Sequence, residues 1–146
     1  MEGLGSLCPH SLLVSEESAH ASAAERTAAD FVWLIDPLDG TKEFIKRNGQ
    51  FSVNIGLCFR GAPILGVIGA PLSGDIYIGG EIIKGSWLIK KDSKDILSPL
   101  QCLSFRWDDN ALKATASSSH NSPQTCAFLS RLNSPQMVQI GYKLYY

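Results

Sequence analysis

The sequence predicts a mixed α/β chain: an antiparallel meander of strands followed by the start of a second, strand–helix–strand unit. Three observations carry that expectation. The run Phe31-Val32-Trp33-Leu34-Ile35 is apolar throughout, with no polar alternation, as in a strand buried on both faces. From residue 51 to residue 89, short apolar runs alternate with Gly, Pro, Asn and Asp turn signals at regular spacing, which is the pattern of a meander. From residue 111 to residue 140, a strand-like run, a helix start and a second strand-like run follow one another.

Taken in order, residues 1–10 are Gly-rich and patternless, and residues 1–11 are expected to be disordered. Ser11-Leu12-Leu13-Val14-Ser15 reads as a short buried strand that runs into the acidic pair Glu16-Glu17. Residues 20–30 are Ala-rich and polar, and read as a loop or a frayed helical turn. The buried strand of residues 31–35 delivers Asp36 at its C-terminal end, where α/β proteins usually place their ligands. Pro37 cannot donate to a ladder, so the strand is expected to stop there, leaving Asp39 across a tight turn. Thr41 is the expected N-cap of a helical turn over residues 42–47, and Asn48-Gly49 is a turn signal.

The meander strands are expected at residues 51–57, 64–70 and 76–78, with Ile82-Ile83 and residues 85–89 as a further short pair. Residues 90–94 form a polar linker, and residues 97–103 have some strand character. Residues 111–116 read as a strand. Ser122 is the N-cap candidate of the next helix, Pro123 suits its first position, and Met137-Val138-Gln139-Ile140 begins another strand. The expected organisation is a partial N-terminal, metal-binding unit over residues 12–92, then a linker and the start of a C-terminal α/β unit over residues 93–146.

Composition narrows the function classes. At 146 residues, 45% hydrophobic and with a net charge of −1, the chain reads as a soluble globular protein. Lys46 and Arg47 form only a short basic spot, so there is no electrostatic footprint for a nucleic acid polymer. No apolar run reaches the roughly 18 residues that a membrane span needs. The first ten residues lack the layout of a secretory signal. Cys8, Cys58, Cys102 and Cys126 are scattered, with no Cys-x-x-Cys pair. A reduced, cytoplasmic protein with free thiols is the expectation.

The chemistry is expected in the acidic cluster. Two carboxylates facing one point repel unless a cation lies between them, and oxygen ligands suit a hard divalent ion such as Mg²⁺. If the strands before Glu16 and Asp36 are adjacent, then Glu16, Asp36 and Asp39 converge. They are expected to hold one Mg²⁺ and share a second, with the Leu38 carbonyl filling a further position. Gly40 and Thr41 offer backbone N–H groups at a turn that opens a helix, a natural phosphate cradle. The Thr41 hydroxyl is expected to hold a nucleophilic water, with Glu16 accepting its proton. Together these parts describe metal-assisted phosphomonoester hydrolysis. An Asp-Pro-x-Asp-Gly turn alone is common, since Asp and Gly favour turns; the buried strand before it and the upstream acidic pair add weight. The Asp-x-x-Asp spacing disfavours the aspartyl-phosphate enzymes, which use Asp-x-Asp.

Val14-Ser15-Glu16-Glu17-Ser18 and Trp33-Leu34-Ile35-Asp36-Pro37-Leu38-Asp39-Gly40-Thr41 resemble the two metal-site motifs of the inositol monophosphatase superfamily. The continuation from Lys42-Glu43-Phe44 to Ser52-Val53-Asn54-Ile55 resembles its CysQ-type 3'(2'),5'-bisphosphate nucleotidases. The resemblance covers residues 12–141. It implies the layered sugar-phosphatase fold and a lithium-sensitive phosphatase using two or more Mg²⁺ ions. Such an enzyme removes the 3'-phosphate of adenosine 3',5'-bisphosphate, giving AMP, within sulfur assimilation. Inositol phosphates are the alternative substrates. The resemblance implies metal ligation by Glu16, Asp36, the Leu38 carbonyl and Asp39, substrate contacts along Leu38, Asp39, Gly40 and Thr41, with phosphate at Gly40 and Thr41, and nucleotide contacts at Ser117, His120 and Gly141.

The departures from the pattern also carry expectations. The family's N-terminal helix pair, with its Thr-x-x-Asp segment, has no counterpart before Leu12. The family's late Trp-Asp motif follows the strand that Trp107-Asp108 precedes here, so Trp107 is expected to pack and Asp108 to lie in a loop. After Gly141 the chain reads Tyr142-Lys143-Leu144-Tyr145-Tyr146 instead of the family pattern, which suggests truncation, alternative splicing or a gene-model error. An impaired fragment that binds metal or nucleotide is therefore the competing expectation. Exposed apolar surface is expected to favour association of copies.

Overall fold

A computed structural model describes residues 2–17, 21–93, 96–117 and 122–140. His20, His120 and Gly141 lie outside the described residues. The chain divides into two compact units, residues 1–39 with 51–101, and residues 40–50 with 102–146. The sequence places a division near residue 93. By spatial proximity the first unit runs on to residue 101, and the short segment 40–50 groups with the second.

The first unit is a seven-stranded sheet in sequential order. Its strands are β1 (Leu12–Ser15), β2 (Phe31–Asp39), β3 (Ser52–Phe59), β4 (Ala62–Ala70), β5 (Asp75–Gly80), β6 (Gly85–Ile89) and β7 (Leu97–Pro99). β1 and β2 run parallel, and every later pair is antiparallel. The meander forms because each apolar run is bounded by a turn that the backbone can make cheaply: Gly61 and Gly74 sit at φ 82° and 76°. The pair Ile82-Ile83 does not form a strand. It lies in the turn of residues 81–84 that joins β5 to β6, since two apolar residues between Gly80 and Gly85 are too few to run a ladder.

The register aligns large apolar side chains on one face of the sheet. Trp33 stands opposite Leu57, which stands opposite Leu65, and Ile35 opposite Ile55, which stands opposite Val67. Among the described residues Val32, Trp33 and Leu57 are the buried apolar ones, at 7%, 6% and 7% exposure. Phe31 and Phe59 meet at the end of the same ladder with ring centroids 4.8 Å apart. The buried-run reading of residues 31–35 holds for Val32 and Trp33, whereas Leu34 is 45% exposed.

Two short helices belong to the first unit. Residues 2–7, which the sequence leaves patternless and expects to be disordered, form α1 (Glu2–Leu7). The Ala-rich stretch forms α2 (Ala23–Ala28), closed by a capping box in which the Ser22 side chain accepts from the Glu25 N–H and the Glu25 carboxylate accepts from the Ser22 N–H. These hydrogen bonds from Ser22 hold the Glu25 carboxyl below the usual range. Stabilisation of α2 by this box is therefore present above the unfolded carboxyl pKa and is lost as pH falls through the depressed one.

At the β5–β6 corner Gly80 has φ 152°, and a Cβ built there would fall onto the Ile64 carbonyl oxygen and 2.8 Å from Leu65 Cα. Both are backbone atoms of β4, which its neighbours in the ladder hold in place. Gly80→Ala is expected to lower stability by about 2–3 kcal/mol, measured as a shift in the denaturant midpoint at unchanged m-value.

The second unit carries α3 (Thr41–Ile45) and a strand–helix–strand run: β8 (Lys113–Ser117), α4 (Pro123–Leu129) and β9 (Gln136–Ile140). β8 and β9 pair in parallel, as expected of two strands joined through a helix. The N-cap of α4 is Ser122, whose hydroxyl accepts from the Thr125 N–H, with Pro123 opening the helix. Trp107 is 62% exposed and meets Phe105 and Phe128 edge-on, at 5.9 Å and 5.7 Å. Asp108 is paired with Arg106 at 3.0 Å. Both residues thus behave as packing and loop residues. Among the described residues no helix is long and apolar enough to cross a membrane. Cys8, Cys58, Cys102 and Cys126 are free thiols.

Candidate metal and phosphate site

The site begins with the parallel pairing of β1 and β2. Leu12 aligns with Val32 and Ser15 with Ile35, and the Glu16 N–H continues the ladder onto the Ile35 carbonyl at 3.1 Å. The backbone of Glu16 is therefore set beside Ile35 and Asp36, within β2. Strand adjacency, on which the convergence of the acidic residues depends, is met. Ser15 is buried and Glu16 is exposed, so the strand ends where the carboxylate begins.

Pro37 does not end β2. The strand continues to Asp39, and the ladder to β3 absorbs the proline in a bulge: Asp36 pairs with Asn54 and Asp39 with Ser52. Two residues of β2, Pro37 and Leu38, thus oppose the single residue Val53. Pro37 can stay in the strand because the bulged positions need no ladder donor. The consequence is chemical. In a regular strand, residues three apart point to opposite faces. Ser52 and Asn54 are two apart on β3 and share a face, so their partners Asp39 and Asp36 share it as well. The bulge converts an Asp-x-x-Asp spacing into a same-side pair of carboxylates.

Each carboxylate has one oxygen held. Asp36 Oδ1 accepts the Leu38 N–H at 3.1 Å, closing the bulge over its own backbone. Asp39 Oδ2 accepts from Asn54 Nδ2 at 3.3 Å. No ion pair involves either carboxylate among the described residues. The environment is rich in acceptors. Asn54 Oδ1 is buried with no hydrogen-bond partner, and so is the Oγ of Ser52, a residue that is only 1% exposed. A set made of two carboxylates, a backbone carbonyl at Leu38 and an orphaned amide oxygen on the neighbouring strand suits a hard divalent cation, which takes only oxygen ligands. In donor type, though not as a gathered set of ligands, these residues fit the metal that the sequence implies. Glu16, Asp36 and Asp39 do not gather further than this: among the described residues no three His, Cys, Asp or Glu side chains meet as metal ligands. Asp36 and Asp39 are turned to separate partners, Leu38 and Asn54.

Gly40 and Thr41 follow Asp39 directly but group with the second unit. The expected N-cap role of Thr41 does not hold. Gly40 is the N-cap, in the left-handed conformation at φ 91° and without a side-chain cap, while Thr41 is the first residue of α3. The reason is that residue 40 takes a positive φ, which glycine adopts without strain. Asn48-Gly49 forms the expected turn, with Gly49 at φ 77° and Asn48 Oδ1 accepting from Gln50 N. Ser117 ends β8 in the second unit.

Two features of the site escaped the sequence reading. The bulge has a signal, a proline inside an otherwise strand-like stretch that resumes its ladder with Asp39. Asn54 has one as well, a carboxamide placed in an apolar strand.

This combination, an antiparallel meander with a bulged acidic strand beside a parallel edge strand, defines a mixed α/β fold of the sugar-phosphatase kind. Residues 1–142 match the inositol monophosphatase family, and the chain belongs to that family. Among curated proteins it is 36% identical over 144 residues to the 3'(2'),5'-bisphosphate nucleotidase CysQ of Salmonella typhimurium, covering 99% of this chain and 54% of that protein. It is 48% identical over 81 residues to the CysQ nucleotidase of Escherichia coli K12, covering 56% of this chain and 32% of that protein. The chain spans about half, 54%, of the first of these relatives. Among solved structures it superposes on CysQ from Bacteroides thetaiotaomicron, a bacterial member of the inositol monophosphatase family, with a TM-score of 0.75 at 27% identity, covering 95% of this chain and 56% of that one. It shares the fold of Mycobacterium tuberculosis SuhB, with a TM-score of 0.68 at 20% identity and coverage of 96% and 52%.

Proposed function

We propose that this chain carries the metal-binding half of a phosphomonoesterase that removes the 3'-phosphate of adenosine 3',5'-bisphosphate, giving AMP and inorganic phosphate. The observation that carries the reading is the bulge in β2, which sets Asp36 and Asp39 on one face of a strand whose neighbour ends at Ser15, just before Glu16. The nucleotide is favoured over an inositol phosphate by the likeness to bisphosphate nucleotidases in Salmonella typhimurium and Escherichia coli.

In this reading Glu16, Asp36, the Leu38 carbonyl and Asp39 hold Mg²⁺. The bound cation supplies charge neutralisation at the phosphate and makes water more acidic. The chain's own groups do the rest. Gly40 and Thr41 bind phosphate oxygens, the Thr41 hydroxyl orients the attacking water, and the Glu16 carboxylate accepts its proton. The water oxygen forms a bond to phosphorus as the bond from phosphorus to the 3'-oxygen breaks, and that oxygen takes up a proton from solvent to become the 3'-hydroxyl of AMP. Ser117, His120 and Gly141 contact the nucleotide. Cytoplasmic location, a place in sulfur assimilation and lithium inhibition belong to the same proposal, as does association of copies through exposed apolar side chains such as Leu72 and Ile82.

Parallel assays of phosphate release from adenosine 3',5'-bisphosphate and from inositol monophosphate, each with Mg²⁺, test the substrate. Faster release from the nucleotide supports the reading. Equal or faster release from the inositol phosphate reassigns the substrate.

One observation favours a second reading, a chain that binds metal or nucleotide without turnover: no three carboxylates meet as ligands among the described residues. Calorimetry with Mg²⁺ and AMP separates the two, because binding without phosphate release is the result unique to the second.

A further inference from the structure

We propose that Asn54 is the positioning residue of Asp39, selecting which carboxylate oxygen is presented to a cation. The inference rests on the metal-site reading above. Asn54 lies on β3, directly opposite Asp36 and two residues from Ser52, which is opposite Asp39. It therefore shares a face with both carboxylates, on a strand flanked by β2 and β4. Its amide donates to Asp39 Oδ2 at 3.3 Å. Asp39 Oδ1 carries no hydrogen bond among the described residues.

Asp39 resumes the ladder opposite Ser52, but backbone pairing does not fix a side-chain rotamer, so the carboxylate must be oriented by something else. A carboxylate accepts only, and an amide nitrogen donates only. Asn54 thus occupies Oδ2 and leaves Oδ1 as the oxygen for a single-point ligand. The other end of the same amide, Oδ1, is buried without a donor. Burying a carbonyl oxygen unsatisfied is costly, so an apolar side chain of similar size would serve packing better. A group kept there against that cost has work beyond packing. Partners that orient a metal ligand typically change affinity by about 10–100-fold when removed.

The test compares the wild-type chain with Asn54→Leu, a similar-sized apolar replacement. Mn²⁺ binding is followed by electron paramagnetic resonance, and thermal melting is followed in EDTA. The expected result is Mn²⁺ affinity weakened about tenfold or more, with the metal-free melting temperature unchanged or raised. A purely structural role would give the opposite pattern, a lowered melting temperature with affinity retained, and would overturn the proposal. Should Asn54→Leu fail to fold, the wild-type chain supplies its own readout. The side-chain amide resonances of Asn54 are expected to shift on Mg²⁺ addition along with the backbone amide of Asp39. If Mg²⁺ moves Asp39 and leaves the Asn54 amide in place, the positioning role is wrong while the metal site stands. If the wild-type chain binds neither Mn²⁺ nor Mg²⁺, the metal-site reading falls and the positioning role with it.

Discussion

Asp39→Asn is expected to weaken Mg²⁺ binding by about a hundredfold or more and to remove Mg²⁺-dependent phosphate release, while leaving the fold intact. The magnitude follows from position. Residues that only orient a ligand cost about 10–100-fold when removed, so a ligand itself belongs at the upper end of that range or beyond it. The fold should survive because the substitution is isosteric and the local partner adapts: Asn54 Nδ2, which donates to Asp39 Oδ2, can donate equally to the carbonyl oxygen of the new amide. What disappears is the negative charge on one of two same-face carboxylates, and with it the attraction for a cation. Calorimetric titration with Mg²⁺ alongside a thermal melt checks both halves. Unchanged affinity in a folded variant would remove Asp39 from the site.

The second large effect is on stability. Trp33→Ala is expected to cost about 3–5 kcal/mol, the range for deleting a large aromatic from a core. Domains of ordinary stability have only about 5–15 kcal/mol to lose. Trp33 is 6% exposed, stands between Leu13 on β1 and Leu57 on β3, and is one of three buried apolar residues among those described. Its loss would also loosen the β1–β2 pairing that sets Glu16 beside β2. Trp33→Phe should cost much less. It keeps most of the ring volume and removes an indole N–H that is buried without a partner. Denaturant midpoints of the two variants, compared at constant m-value, give the ordering. Equal effects of Ala and Phe would mean that the indole N–H, and not the ring volume, matters.

Much of this architecture is written plainly in the residues. The meander is legible because its apolar runs are short, regular and separated by residues that turn easily. β8, α4 and β9 are legible because Ser122-Pro123 is a start signal that little else satisfies. Adjacency of β1 and β2 is less direct, since nothing local in Leu12-Leu13-Val14 says that it pairs in parallel with a strand after α2; it rests on two acidic strand ends needing the same place. The course of β2 past Pro37 is not legible from proline chemistry alone. Pro37 lacks the ladder donor, and only the partner strand reveals that the ladder skips a position there.

The same limitation hides Asn54. In sequence it is a polar residue in a strand, and only the register with Asp36 gives it meaning. The helix cap at Gly40 is misread for a different reason. Thr41 has a capping side chain, but the chain there needs a positive φ, which glycine provides and threonine resists. The capping box of Ser22 and Glu25 has a visible Ser-x-x-Glu signature, which the Ala-rich composition around it obscures. The grouping of residues 40–50 with the second unit depends on tertiary proximity, to which neither periodicity nor turn chemistry is sensitive.

Phosphate release from adenosine 3',5'-bisphosphate by the purified chain, measured with Mg²⁺ and again in EDTA, tests whether the acidic residues of β2 form a working metal site. Release with Mg²⁺ above the metal-free blank is expected, lost on chelation and lost in Asp39→Asn. Release no greater than the blank from a chain shown to be folded, or release that survives both EDTA and Asp39→Asn, would contradict that assignment.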